Sequence, residues 1–249
     1  MKNLKKQHFA LTFCLSFIIA FFALTFAFAG SYIVGKTKPT SNIETEKVND
    51  VFIIDPGHGG FDSGAVGQEG TLEKDINLHI SLCLNELFML SDANAYLTRA
   101  DDTMLYDENS LRSRKAQDVR NRVAFTQNFV NPVFVSIHQN KFPVSKYSGL
   151  QVYYSPNNQN SKILAENIQN IVKEKLQTQN NREVKKSGSS IYVLKNLECP
   201  AVLVECGFLS NTQEEKLLSS SDYRKKLALC IFSALIDYED SKINRKEIT

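Results

Sequence analysis

Short apolar runs alternating with longer amphipathic ones predict an α/β fold, with a largely parallel sheet covered by helices on both faces. Two observations carry this. Runs such as VFIID and VFVSIH are apolar at successive rather than alternate positions, the pattern of strands buried on both sides. The stretches between them return apolar residues at helical spacing, as at Ile76, Ile80, Leu84 and Leu87. A helix between two strands is the connection that makes the strands parallel.

The elements follow in order along the 249 residues. From Phe9 to Ala29 only Thr12, Ser16 and Thr25 are not hydrophobic, and Lys2, Lys5 and Lys6 precede the run. Residues 1–29 therefore read as an export segment, either a signal peptide or a membrane anchor. Ala27-Phe28-Ala29 fits the small-x-small cleavage pattern. The lysines stay on the cytoplasmic side, which puts the remainder of the chain outside it. Residues 30–50 are expected to be a polar linker, 51–240 the folded domain, and 241–249 a polar C-terminal tail. Strands are expected at 51–55, 95–98, 133–138, 150–155, 191–194 (IYVL) and 201–205, and helices at 73–90, 111–129, 160–177 and 221–239. Lys185 and Lys186 read as solvated loop residues.

Charge and cysteine content narrow the function classes. The chain carries 29 bases and 27 acids, and the excess sits in the first 29 residues, leaving 26 bases against 27 acids beyond them. A nucleic-acid partner working by phosphate neutralisation is disfavoured. The cluster Arg112, Arg114, Lys115, Arg120 and Arg122 reads as the solvated face of a helix, with Arg122 the exception to expect. Cys199 and Cys206 flank a strand that would hold them about 23 Å apart, too far to bridge. There is no CxxC pair for a thiolate zinc site.

In open α/β sheets ligands bind beyond the carboxyl ends of the strands, and that rule selects residues. His58 follows the first strand by three positions, His138 closes VFVSI, and Glu205 closes AVLV. The intervening loop holds six of the eleven glycines between positions 57 and 70, a density suited to backbone folded tightly around something. Glu73 opens the next helix, where the helix dipole favours a carboxylate. Two imidazoles and one carboxylate with an open fourth position make the ligand set of catalytic zinc. The expected ligands are His58, Glu73 and His138, which leaves Glu205 as the base. A cysteine peptidase using Cys206 with His138 is a competing reading. Adjacent strand residues point to opposite faces, however, so Cys206 and Glu205 should not share a site.

The segments IIDPGHGGFDSGAVG, Glu73-Lys74, LTR ending at Arg99, SIHQN and VLVECGFLSN resemble, in order and spacing, the zinc-dependent N-acetylmuramoyl-L-alanine amidases of the third amidase type. The resemblance runs from about Val51 to Tyr238. It implies zinc on His58, Glu73 and His138, Glu205 as catalytic acid/base, and a single domain with a mostly parallel six-stranded sheet flanked by helices. The expected substrate is peptidoglycan, glycan strands with peptide stems. A bare catalytic domain behind an export segment looks most like the germination-specific spore cortex amidases, whose action precedes muramic-δ-lactam formation. A vegetative autolysin of the same chemistry and a non-catalytic peptidoglycan-binding module are the alternatives. Membrane contact is expected only through the N-terminal segment. The lack of wall-binding repeats leaves room for an accessory protein that activates the domain.

Overall fold

The computed structural model describes residues 50–91, 93–106 and 113–247. The export segment, the linker up to residue 49, Arg112 and the start of the expected helix at 111 lie outside the described residues. The elements are β1 (Val51–Pro56), α1 (Glu73–Met89), β2 (Asn94–Leu97), α2 (Arg114–Gln127), β3 (Pro132–Asn140), β4 (Gln151–Tyr154), α3 (Asn160–Lys175), β5 (Lys185–Lys186), α4 (Tyr192–Asn196), β6 (Ala201–Phe208), α5 (Thr212–Ser219) and α6 (Ser221–Glu247). Among the described residues no helix is long and apolar enough to cross a membrane.

One six-stranded sheet runs in the order β2-β1-β3-β6-β4-β5. β1 is parallel to β2 and β3, and β3 is parallel to β6. β4 pairs antiparallel with β6 and parallel with β5. The chain leaves β1 for β2 on one side and returns to β3 on the other, so the strand order reverses between β1 and β3. That reversal opens a crevice beyond their carboxyl ends.

Period-two alternation divides the strands between two cores. Phe52, Ile54, Val135, Ile137, Val202, Val204 and Cys206 pack with α1, α3 and α6 residues such as Ile80, Leu164 and Ile231. Ile53, Phe134 and Leu203 face the other way, against Val123 of α2 and Val193 and Leu194 of α4. Continuing that second face toward the strand ends gives Asp55, Ser136, His138 and Glu205. The functional groups carried by the strands therefore project from the side covered by α2 and α4.

Two local expectations are corrected. IYVL, expected as a strand, is the N-cap and opening turn of α4. A four-residue apolar run fits a buried strand and a buried helical turn equally. Here Asn196 closes the turn by donating from Nδ2 to the Tyr192 carbonyl, 2.7 Å. The sixth strand is instead Lys185–Lys186, read from sequence as loop, which pairs with Tyr153 and Tyr154. The short helix α5 carries too little periodicity to be legible in sequence. It is built by Asn211, whose side chain accepts from the Gln213 and Glu214 amides.

Candidate metal centre

The loop after β1 is shaped by backbone conformations that few residues adopt. His58 has φ 61°, in the left-handed region that a non-glycine residue enters only under constraint. Gly57 must lack a side chain, because a Cβ there would overlap the His138 ring. The loop is fastened from outside by Arg99, which donates to the carbonyls of Pro56, Gly57 and Lys74 at 2.9–3.0 Å. Arg122 adds donations to the carbonyls of Pro56 and His58, each 2.8 Å.

These constraints gather three groups. The ligand atoms of His58, Glu73 and His138 all lie within 4.8 Å of one another. Glu73 Oε1 stands 3.2 Å from His58 Nε2 and 2.9 Å from His138 Nδ1. The two imidazole rings sit edge to face, with centroids 4.9 Å apart. Glu73 is buried at the start of α1, where it accepts the Ala65 amide on Oε2 at 2.7 Å and the Gln139 amide on Oε1 at 3.0 Å. Burial opposes its charge, but the two histidines outweigh that and hold the carboxyl well below the usual range. At His58 burial favours the neutral ring, and Glu73 and Asp62 more than reverse this, raising it to about 8. Two nitrogens and a carboxylate oxygen converging on one point suit a divalent cation, whose charge would replace the protons these groups otherwise share.

Glu205 lies directly opposite His138 in the β3–β6 register. Its Oε2 is enclosed and has no hydrogen-bond partner among the described residues. Burial pushes this carboxyl up to about 7, with the Glu73 charge adding to the shift and the histidines opposing it. A carboxyl poised there can both accept and release a proton near neutrality. Cys206 points to the opposite face and is fully buried in the main core. Burial holds its thiol far above the ordinary range, so the arrangement offers no route to a cysteine nucleophile.

Sequence reasoning passed over the residues that orient the ligands. Asp62 Oδ2 lies 2.9 Å from His58 Nδ1, leaving Nε2 to face Glu73, the carboxylate–histidine arrangement that fixes a metal ligand's tautomer. Asn77 donates to the Gly57 carbonyl at 3.1 Å, and Gln139 Nε2 donates to Asn77 Oδ1, also at 3.1 Å. The four-residue step from His58 to Asp62 and that from Glu73 to Asn77 were the available signals. Of the basic cluster, Arg122 is buried and paired, whereas Arg114, Lys115 and Arg120 are exposed. Lys115 pairs with Asp62 at 2.7 Å.

Gly57→Ala is expected to fold and yet lose its bound metal, because the added methyl drives the His138 ring off the point shared with Glu73. Metal content of the purified variant, set beside its melting temperature, checks this. A variant holding one equivalent of metal would show that the ring can move aside without cost.

Residues 52–237 match the family described as N-acetylmuramoyl-L-alanine amidase. The germination-specific N-acetylmuramoyl-L-alanine amidase of Bacillus subtilis is 33% identical over 234 residues, 93% of this chain and 95% of that protein. The amidase LytC of the same organism is 35% identical over 86% of this chain, but the match spans only 40% of LytC. Among solved structures, the CwlD amidase from Clostridioides difficile, determined in complex with the GerS lipoprotein, superposes with a TM-score of 0.74 at 43% identity, covering 78% of this chain and all of that one. The fold, the end-of-strand cluster and these likenesses agree, and the chain belongs to the N-acetylmuramoyl-L-alanine amidases, hydrolases that act on peptidoglycan.

Proposed function

We propose that this enzyme is a zinc-dependent amidase of spore cortex peptidoglycan, cutting the amide between the lactyl group of N-acetylmuramic acid and L-alanine. The observation that carries the reading is the convergence of His58, Glu73 and His138 within 4.8 Å. Two imidazoles with one carboxylate favour zinc over magnesium or calcium, which take oxygen ligands. Zinc, when bound, supplies Lewis-acid polarisation and a water acidic enough to ionise near neutral pH.

The remaining work falls to the chain's own side chains. His58, through Nε2, His138, through Nδ1, and Glu73 hold the ion, and Asp62 keeps His58 in the tautomer that presents Nε2. Glu205 takes the proton of the attacking water and returns it to the departing amine of L-alanine. The cortex assignment is supported by likeness to a relative named germination-specific over nearly the whole of both chains. The relative solved with a lipoprotein supports an accessory protein for this chain as well. The basic and apolar run of residues 1–29 supports action outside the cytoplasm.

Mass spectrometry of peptidoglycan after digestion tests the reading. The expected products are glycan strands with free lactyl carboxylates and stems with a free L-alanyl amine, formed until a chelator is added and again once zinc is restored. Cleavage of any other bond, or turnover indifferent to the chelator, overturns it.

A further inference from the structure

Next to the two histidines lies a narrow cleft of about 150 Å³, bounded by the sheet face, α2 and the start of α4. Its floor is polar but saturated. Asp55 accepts from Thr98, Ser136 and Arg122, each at 2.6 Å. All five N–H groups of Arg122 are engaged, by Asp55, Asp118 and the carbonyls of Pro56 and His58. Asp118 also accepts the Leu105 amide at 2.7 Å. With every donor and acceptor of the floor occupied, a ligand gains no hydrogen bond from it, and a polar group seated there would forfeit its own hydration. The walls away from the metal centre are mostly apolar, Val119 of α2, Ile191, Val193 and the Tyr192 ring at α4, and Leu203 of β6, whereas His58, Asp62 and His138 line the side shared with that centre. The volume falls below the roughly 300 Å³ at which pockets for drug-sized ligands begin, which suits a small group.

We infer that this cleft receives a methyl-bearing group flanking the scissile amide, and that Val119 and Ile191 set the size it admits. The inference rests on the amidase reading above, in which both neighbours of the cleaved bond carry one methyl, the lactyl group on one side and L-alanine on the other. A saturated floor and mostly apolar walls discriminate chiefly by volume, which gives roughly 10–200-fold per methylene.

Two substrate series on the zinc-loaded full chain separate the sources. In the first, the stem alanine of an N-acetylmuramoyl peptide is replaced by glycine or L-leucine. In the second, the stem is kept and the lactyl methyl is removed, giving a glycolyl ether. Wild type is expected to lose about tenfold in kcat/KM when the seated methyl is removed, and about a hundredfold with leucine if the seat is alanine's. Ile191→Ala should narrow the alanine-to-leucine ratio by about tenfold, and Val119→Phe should erase the preference for the methyl, both with zinc content unchanged. Calorimetric binding of the released L-alanyl and glycyl stems should follow the same order without turnover if alanine is the seated group. Response in the stem series assigns the cleft to alanine, and response in the glycolyl series assigns it to the lactyl group. Turnover that is indifferent to both series, or variants that slow every substrate alike, overturn the cleft assignment alone. Peptidoglycan cleaved at another bond by the same zinc-loaded preparation removes the amidase reading and the cleft with it.

Discussion

Glu205→Gln is expected to keep its zinc and lose amide hydrolysis, by a factor of about 10²–10⁴, the range spanned by general acid–base groups. The substitution is close to isosteric and leaves His58, Glu73 and His138, the three groups within 4.8 Å of one another, untouched. What disappears is a proton acceptor whose enclosed oxygen, unpartnered among the described residues, lies on the strand position opposite His138. His138→Ala should lose metal and activity together, since two protein ligands leave a zinc site incomplete. Metal analysis of both variants, with muropeptide chromatography on the same preparations, separates the two roles. A Glu205→Gln enzyme retaining a tenth or more of wild-type turnover would remove Glu205 from the proton transfer.

The strand-end rule made the ligand candidates legible because a parallel sheet brings residues remote in sequence to one rim. His58 and His138 are 80 positions apart, yet β1 and β3 are neighbours in register from Val51↔Pro132 to Pro56↔Ile137. The continuous apolar runs likewise revealed β1, β3 and β6, whose hydrophobic residues are buried on both faces. What stayed hidden depends on side-chain geometry rather than pattern. IYVL is apolar whether it forms a strand or a helical turn, and only the packing of Val193 and Leu194 against Phe134 and Leu203 settles it. Lys185–Lys186 becomes a strand through backbone pairing with Tyr153 and Tyr154, which no side-chain preference announces. The departure of Arg122 from its exposed basic neighbours was visible as an expectation, but its partners Asp55 and Asp118 could be found only in three dimensions.

That buried cluster carries the second large effect. Asp55→Asn should destabilise the domain by about 3 kcal/mol, the lower end of the cost of breaking a buried ion pair because Arg122 keeps Asp118, against a total stability of about 5–15 kcal/mol for a domain. Burial alone would raise the Asp55 carboxyl, but Arg122 at 2.6 Å and the hydroxyls of Ser136 and Thr98 reverse this and hold it below its ordinary 3.8. A carboxyl whose folded value is depressed contributes its stability fully above the unfolded value and loses it as pH falls through the folded one. Urea midpoints of wild type should therefore be insensitive to this group from neutral pH down to about 5, and fall below about 4. In the Asp55→Asn variant this contribution to the acid limb should vanish while the midpoint at pH 7 drops. Replacing Arg122 by methionine in the same chain should deepen the loss, because the buried Asp118 carboxylate then loses its partner. Arg122 also donates to the carbonyls of Pro56 and His58 at 2.8 Å, so the double variant should lose zinc affinity as well. A double variant that keeps its zinc would mean that the left-handed turn at His58 holds its shape unaided.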